Sequence, residues 1–150
     1  MRKIKINKII NKKNKSKIVC LTAYTTNIAK IADKYCDIIL VGDSLGMVLY
    51  GMKTTRNVKI ETMILHAKAV KEATKKSLVV FDMPYKTYTN KFKAYKNAKM
   101  VIKFTKCDAI KLEGGKEISK IVNFLVKKGI PVLGHVGLLP QTSRNFKARG

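Results

Sequence analysis

Four short apolar runs, each stopping at a glycine or a charged side chain, constrain this chain more than any other feature. Residues 38–41 read Ile-Ile-Leu-Val and stop at Gly42-Asp43-Ser44. Residues 78–81 run into Asp82, residues 109–112 run through Lys111 into Glu113-Gly114-Gly115, and residues 130–133 run into Gly134-His135. An uninterrupted apolar run of this kind is how a parallel strand reads when both its faces are covered. Each carboxyl end then hands a polar group to the following loop. Four such ends side by side make a rim carrying Asp43, Ser44, Asp82, Lys111, Glu113 and His135.

Residues 18–24 add a strand in front, and the intervening segments read as helices. Thr25, Thr26 or Asn27 can cap the first, whose Ile28, Ile31, Ala32 and Tyr35 form an apolar stripe at helical spacing. Residues 47–58 read as a loop hinged at Gly46 and Gly51. In the helix over 60–74, Ile60, Met63, Ile64, Ala67 and Val70 line one side. The helix over 90–106 turns Tyr95, Ala98, Val101, Ile102 and Thr105 inward. The helix over 117–128 turns Ile118, Ile121, Val122, Leu125 and Val126 inward, and Lys127-Lys128-Gly129 stops it.

Strand and helix thus alternate four times before a fifth strand, and right-handed crossovers make the sheet parallel. At 150 residues, 46% of them hydrophobic, the chain has the length of one domain and the material for a core. Two α/β architectures fit. A closed (β/α)8 TIM barrel needs about 250 residues, so five strands and four helices are about its first half. An open doubly wound sheet of five strands is complete at this length.

Residues 1–16 read as a basic N-terminal extension ahead of the barrel segment 17–150. The first seventeen residues hold eight bases and no acid. The first part reads as a short strand or helix covering one end of a barrel, and residues 11–16 as a polar linker. No run approaches the roughly 20 apolar residues of a membrane span, and no apolar leader with a cleavage site is present, so no membrane partner is expected. Three scattered cysteines suit a reduced cytosol rather than a disulfide framework or a zinc site. The net charge of +23 comes from 32 basic residues, of which only Arg2, Arg56, Arg144 and Arg149 are arginine. Forked arginine contacts and stacking aromatics mark dedicated nucleic-acid surfaces. Dispersed lysines imply solvated faces with at most non-specific affinity for nucleic acid.

Two carboxylates at neighbouring strand ends repel unless a cation lies between them. A hard divalent ion with oxygen ligands, commonly magnesium, satisfies Asp43 and Asp82, with Glu113 a third ligand, direct or through water. The alternative is that both aspartates cap helices. Lys111 and Glu113, two apart on a strand, share its inner face. A lysine within such a strand needs a partner, either a substrate carboxylate or Glu113 in a structural ion pair. His135 can bind a substrate oxygen or move a proton near neutral pH, whereas His66, mid-helix beside Ala67, reads as structural. A metal, carboxylates and a lysine suit a small 2-oxo acid, whose carbonyl a metal would polarise so that the adjacent carbon loses a proton.

Longer motifs carry a resemblance. They are Leu21-Thr22-Ala23-Tyr24, Val41-Gly42-Asp43-Ser44-Leu45-Gly46-Met47, His66-Ala67-Lys68-Ala69-Val70, Asp82-Met83-Pro84-Tyr85, Ile110-Lys111-Leu112-Glu113-Gly114-Gly115, and Gly129-Ile130-Pro131-Val132-Leu133-Gly134-His135 on to Pro140-Gln141. Together they resemble the 3-methyl-2-oxobutanoate (ketopantoate) hydroxymethyltransferase family from residue 17 to the end. The resemblance implies the N-terminal part of a (β/α)8 barrel in a cytoplasmic, magnesium-dependent homo-oligomer, commonly a decamer. It also implies transfer of a hydroxymethyl group from 5,10-methylenetetrahydrofolate to 3-methyl-2-oxobutanoate, giving 2-dehydropantoate for pantothenate biosynthesis.

Carried over by motif, Asp43, Asp82 and Glu113 would hold the metal. Asp43, Ser44, Asp82 and Lys111 would contact the oxo acid, and His135 would line the same pocket as an auxiliary. The family's catalytic base is a glutamate at the end of the next strand, past Gly150, so no base is assigned among these 150 residues. Little or no turnover is expected of them alone. Thr25 stands where the family often has Asp, and Tyr85 where it usually has Phe. The rival readings are another magnesium-dependent 2-oxo acid lyase or transferase, and an inactive truncated fragment with non-specific nucleic-acid affinity.

Overall fold

The computed structural model describes residues 4–142. Five strands, β1 (Cys20–Thr22), β2 (Ile38–Val41), β3 (Leu78–Asp82), β4 (Ala109–Glu113) and β5 (Val132–His135), form one sheet. Every neighbouring pair is parallel and the order is β1-β2-β3-β4-β5. This order decides between the two architectures. A doubly wound sheet reverses direction at a switch point, whereas a barrel adds each strand beside the last. The fold is the first five strands of a (β/α)8 barrel, and four helices make the crossovers: α2 (Thr26–Tyr35), α4 (Ile60–Ala73), α5 (Lys91–Thr105) and α6 (Ser119–Lys127).

The two-residue period of the strands sorts the core. Ile39, Val41, Val79, Phe81, Ile110 and Leu112 point outward and pack under the helices with Met63, Val70, Ala98, Val101 and Leu125. Ile38, Leu78, Val80 and Ala109 point to the concave inner face, with Leu40 and Leu133 beside them. The same alternation sends Asp82, Lys111, Glu113 and His135 to the inner face, at its carboxyl end. At the opposite end the short helix α1 (Ile6–Ile10) closes the bottom. Ile4 is buried there and its N–H donates to the Lys76 carbonyl at 2.8 Å. Lys12 pairs with Asp37 at 2.7 Å. An apolar hollow of about 470 Å³, lined by Ile6, Ile38, Leu78 and Val80 among others, lies between α1 and the inner face, away from the carboxylates.

Several elements differ from the sequence reading, each for a local reason. Ile28, Ile31 and Tyr35 face solvent, and Ala29 and Ala32 face the sheet. Small residues let α2 seat closely, and the large members of the apolar stripe lie on its far side. β1 is shorter than expected and half-exposed, having a neighbour on one edge only among the described residues. The expected loop over 47–58 begins instead with a helix, α3 (Leu45–Tyr50), which ends at Gly51 in the left-handed region (φ 63°). Gly46 permits it to pack, because a Cβ there would lie 2.4 Å from the Val58 Cγ2.

The helix expected over 117–128 opens with a 3-10 turn (Gly115–Ile118), and its Val126 is exposed rather than inward. β5 starts two residues later than expected because the Ile130 N–H is committed to the Leu125 carbonyl at the end of α6. The N-terminal extension is helical over α1, while residues 1–3 and 143–150 lie outside the described residues. No described helix is long and apolar enough to cross a membrane.

Candidate active site

Register places the polar side chains. Asp82 and Lys111 are paired residues on β3 and β4, and Lys111 Nζ lies 2.6 Å from Asp82 Oδ2. Glu113 and His135 are paired on β4 and β5, with His135 Nδ1 3.2 Å from Glu113 Oε2 but not aligned as a hydrogen bond. Asp43 follows β2 by two residues, and its N–H donates to Asp82 Oδ2 at 3.4 Å. Ser44 opens α3 and its hydroxyl meets the Tyr24 hydroxyl at 2.7 Å. Asp43, Asp82 and Glu113 are buried, at 5%, 2% and 3% exposure. All six expected rim residues therefore stand at one end of the sheet.

The helix-capping alternative does not account for the two aspartates. Neither aspartate caps a helix: α3 has Ser44 at its N-cap with no side-chain cap, and α5 is capped by Asn90, whose Oδ1 accepts from Phe92 and Lys93 N–H. Lys111 pairs with Asp82 rather than with Glu113, which corrects the sequence reading. His66 is structural as expected, its ring bridging the Tyr24 carbonyl (2.6 Å) and the Tyr50 hydroxyl (2.8 Å).

Three residues outside the sequence-based set complete the cluster. Gln141, 1% exposed, reaches in from the loop after β5. Its Nε2 donates to Asp43 Oδ2 at 2.8 Å and to the Met83 carbonyl at 3.1 Å, and its N–H donates to Glu113 Oε1 at 2.8 Å. The Tyr88 hydroxyl donates to Gln141 Oε1, and Arg56 Nε donates to the Gln141 carbonyl at 2.9 Å. No local pattern marks a glutamine in a loop as buried, since the residue type is usually exposed. Only its position in a long family motif could have flagged it.

Burial dominates the electrostatics. It pushes the Asp82 carboxyl up to about 7 against the Lys111 ammonium, with the Asp43 charge adding to the rise. Burial also raises Asp43, against the Gln141 bond and Lys111, and raises Glu113, against the Gln141 N–H and Lys111. His135 is lowered by burial and then by Lys111. A folded carboxyl pKa above its unfolded value favours the fold below the unfolded value, and the benefit is lost as pH rises through the folded pKa. For Asp82 that window runs from its ordinary 3.8 to about 7. His135 works in the opposite sense below its ordinary 6.5. The thermal midpoint of metal-stripped protein is therefore expected to fall by several degrees from about pH 6.5 to about pH 8. Added magnesium should restore it at the higher pH. A midpoint that stays flat in chelator would contradict this account.

Among the described residues no three acidic, histidine or cysteine side chains form a complete ion cage. The donor set nevertheless fits magnesium, which keeps several waters and takes one or two carboxylates at a time. Asp82 Oδ1 is buried without a hydrogen-bond partner, an orphaned acceptor beside Asp43. Buried acceptors are seldom left so. Asp43 and Asp82 are the residues that could hold the ion, and Glu113, engaged by Gln141, could reach it through water.

The family described as ketopantoate hydroxymethyltransferase matches residues 3–150. A 3-methyl-2-oxobutanoate hydroxymethyltransferase of Pelagibacter ubique (strain HTCC1062) is 56% identical over 146 residues, 97% of this chain and 57% of its own length. The enzyme of the same name from Rhizobium etli is 55% identical over 125 residues, 83% of this chain and 46% of its own. The chain spans about half the length of the curated relatives it matches. Among solved structures, phosphonopyruvate hydrolase in complex with oxalate and Mg++ superposes with TM-score 0.59 at 14% identity, over 73% of this chain and 39% of its own. An oxaloacetate acetylhydrolase superposes with TM-score 0.59 at 12% identity, over 78% and 46%. At such identities the likeness is one of fold.

Proposed function

The chain belongs to the ketopantoate hydroxymethyltransferase family, and we propose that its protein transfers a hydroxymethyl group from 5,10-methylenetetrahydrofolate to 3-methyl-2-oxobutanoate. The product is 2-dehydropantoate, a precursor of pantothenate. The observation that carries this reading is the buried carboxylates Asp43, Asp82 and Glu113 and the partly buried Lys111, gathered at the carboxyl ends of three adjacent strands, the end at which barrel enzymes keep their chemistry.

Asp43 and Asp82 would hold a magnesium ion, with Glu113 a water-mediated third ligand. When bound, the ion would polarise the 2-oxo group and make the neighbouring C–H more acidic. Lys111 supplies positive charge where the oxo acid's negative charge gathers, and stays desolvated enough for that charge to count. Ser44, held by Tyr24 at 2.7 Å, offers a hydroxyl to the substrate carboxylate. His135, kept neutral by burial and Lys111, offers a ring nitrogen without adding charge. A base removes the C3 proton, and no described residue is assigned that role. A carbon–carbon bond then forms at C3, the two C–N bonds to the methylene carbon break, tetrahydrofolate departs, and water supplies the hydroxyl. By the family resemblance, the whole protein would work in the cytoplasm as a homo-oligomer.

The test is an assay of the full-length native protein for 2-dehydropantoate. Formation is expected only with both substrates, and should be lost in chelator and regained with magnesium. Absence of product with both substrates and magnesium present, or product formed without the folate, would overturn the reading.

A further inference from the structure

The loop after β5 contributes more than His135. Gln141 is 1% exposed, and its polar groups engage five residues from four segments of the chain. Its backbone N–H holds Glu113 Oε1 at 2.8 Å and its carbonyl accepts from Arg56 Nε at 2.9 Å. Its side-chain amide spans Asp43 Oδ2 at 2.8 Å, the Met83 carbonyl at 3.1 Å and the Tyr88 hydroxyl. The chemistry of these partners fixes the amide's orientation. A carboxylate and a carbonyl are acceptors only, so they require the NH2 end, and the Tyr88 O–H supplies the donor that Oε1 requires.

We infer that Gln141 is a positioning residue, whose neutral amide clamps one oxygen of Asp43 so that the other is presented to the cation. The inference rests on the proposed metal role of Asp43. A neutral donor suits this place, because it orients a buried carboxylate without cancelling the charge that a cation needs. A lysine would compete with the ion, and a glutamate would repel Asp43. Outer partners of this kind typically change metal affinity by about 10- to 100-fold. The clamp also couples the loop after β5 to the ends of β2, β3 and β4, so the site is completed only when that loop is seated.

The test uses the full-length native protein with Mn2+ as the probe, its free concentration read by electron paramagnetic resonance. Gln141→Met keeps the side chain's length and the backbone bonds but removes the amide. It is expected to raise the Mn2+ Kd about 10-fold or more. The KM for oxo acid should rise with it at limiting metal and recover at saturating metal, which a merely structural defect would not do. Should the Met variant fail to fold, Gln141→Asn, which withdraws the amide by one methylene, is expected to shift the Kd in the same direction. Asp43→Asn serves as the reference. If it weakens Mn2+ binding while the folded Gln141 variant stays within twofold of the parent, the positioning role is overturned and the metal reading survives. If Asp43→Asn has no effect, both are overturned.

Discussion

Asp82→Asn is expected to abolish magnesium-dependent binding of 3-methyl-2-oxobutanoate, weakening it at least about 100-fold, the upper end of what an outer-shell change alone produces. Asp82 Oδ2 already serves the Lys111 ammonium at 2.6 Å and the Asp43 N–H at 3.4 Å. Oδ1 is buried with no protein partner. An asparagine must place its NH2 at one of these positions. At the first it meets an ammonium that needs an acceptor. At the second it turns two protons toward the place where the cation belongs. The first orientation leaves the cation only a neutral amide oxygen, and the second leaves it no oxygen at all.

The variant should still fold. Burial raises the native carboxyl to about 7, so the surroundings already tolerate the uncharged form of a group of this shape near neutral pH. Isothermal calorimetry with the oxo acid, with and without magnesium, reads the effect directly. Heats unchanged from the parent would remove Asp82 from the metal site.

The parts of this site that were legible in the sequence are those set by strand period and strand ends. Lys111 and Glu113 share a face because they are two apart, and the strand-end position of Asp82 follows from the apolar run before it. Pairing across strands was not legible. The partner of Lys111 is Asp82, because β3 and β4 pair with those residues opposite. Register is a property of two segments and of the helix between them. Gln141 is the extreme case, lying 98 residues from Asp43 along the chain. Helical faces failed where small residues competed with large ones. In α2 the alanines won the sheet-facing side over Ile28, Ile31 and Tyr35, since close approach to a parallel sheet favours small side chains. Architecture was undecided from length and was settled by strand order alone.

Lys111→Met removes a cation whose field reaches all four titrating groups of the rim. Its ammonium holds down the pKa values of Asp43, Asp82 and Glu113, each raised chiefly by burial, and it depresses His135 as well. Without it, the three buried carboxyls lose the cation that most favours their ionised forms, and each keeps its proton to a higher pH. His135 also becomes easier to protonate. Metal binding, which needs the carboxylates ionised, should therefore move to higher pH. At neutral pH the kcat/KM of the full-length protein should fall by about 10²–10³, the range for loss of one preorganised donor to developing negative charge. Raising the pH should recover metal affinity but not the whole of kcat/KM, because the lysine's contact with the oxo acid remains missing. Lys111→Arg keeps the charge but widens it into a planar fork in a space shaped for an ammonium. It should preserve the pH of metal binding better than it preserves turnover. Mn2+ affinity and kcat/KM followed together against pH separate the two roles. A Met variant within tenfold of the parent at neutral pH, with an unmoved metal-binding profile, would make Lys111 a structural partner of Asp82 and nothing more.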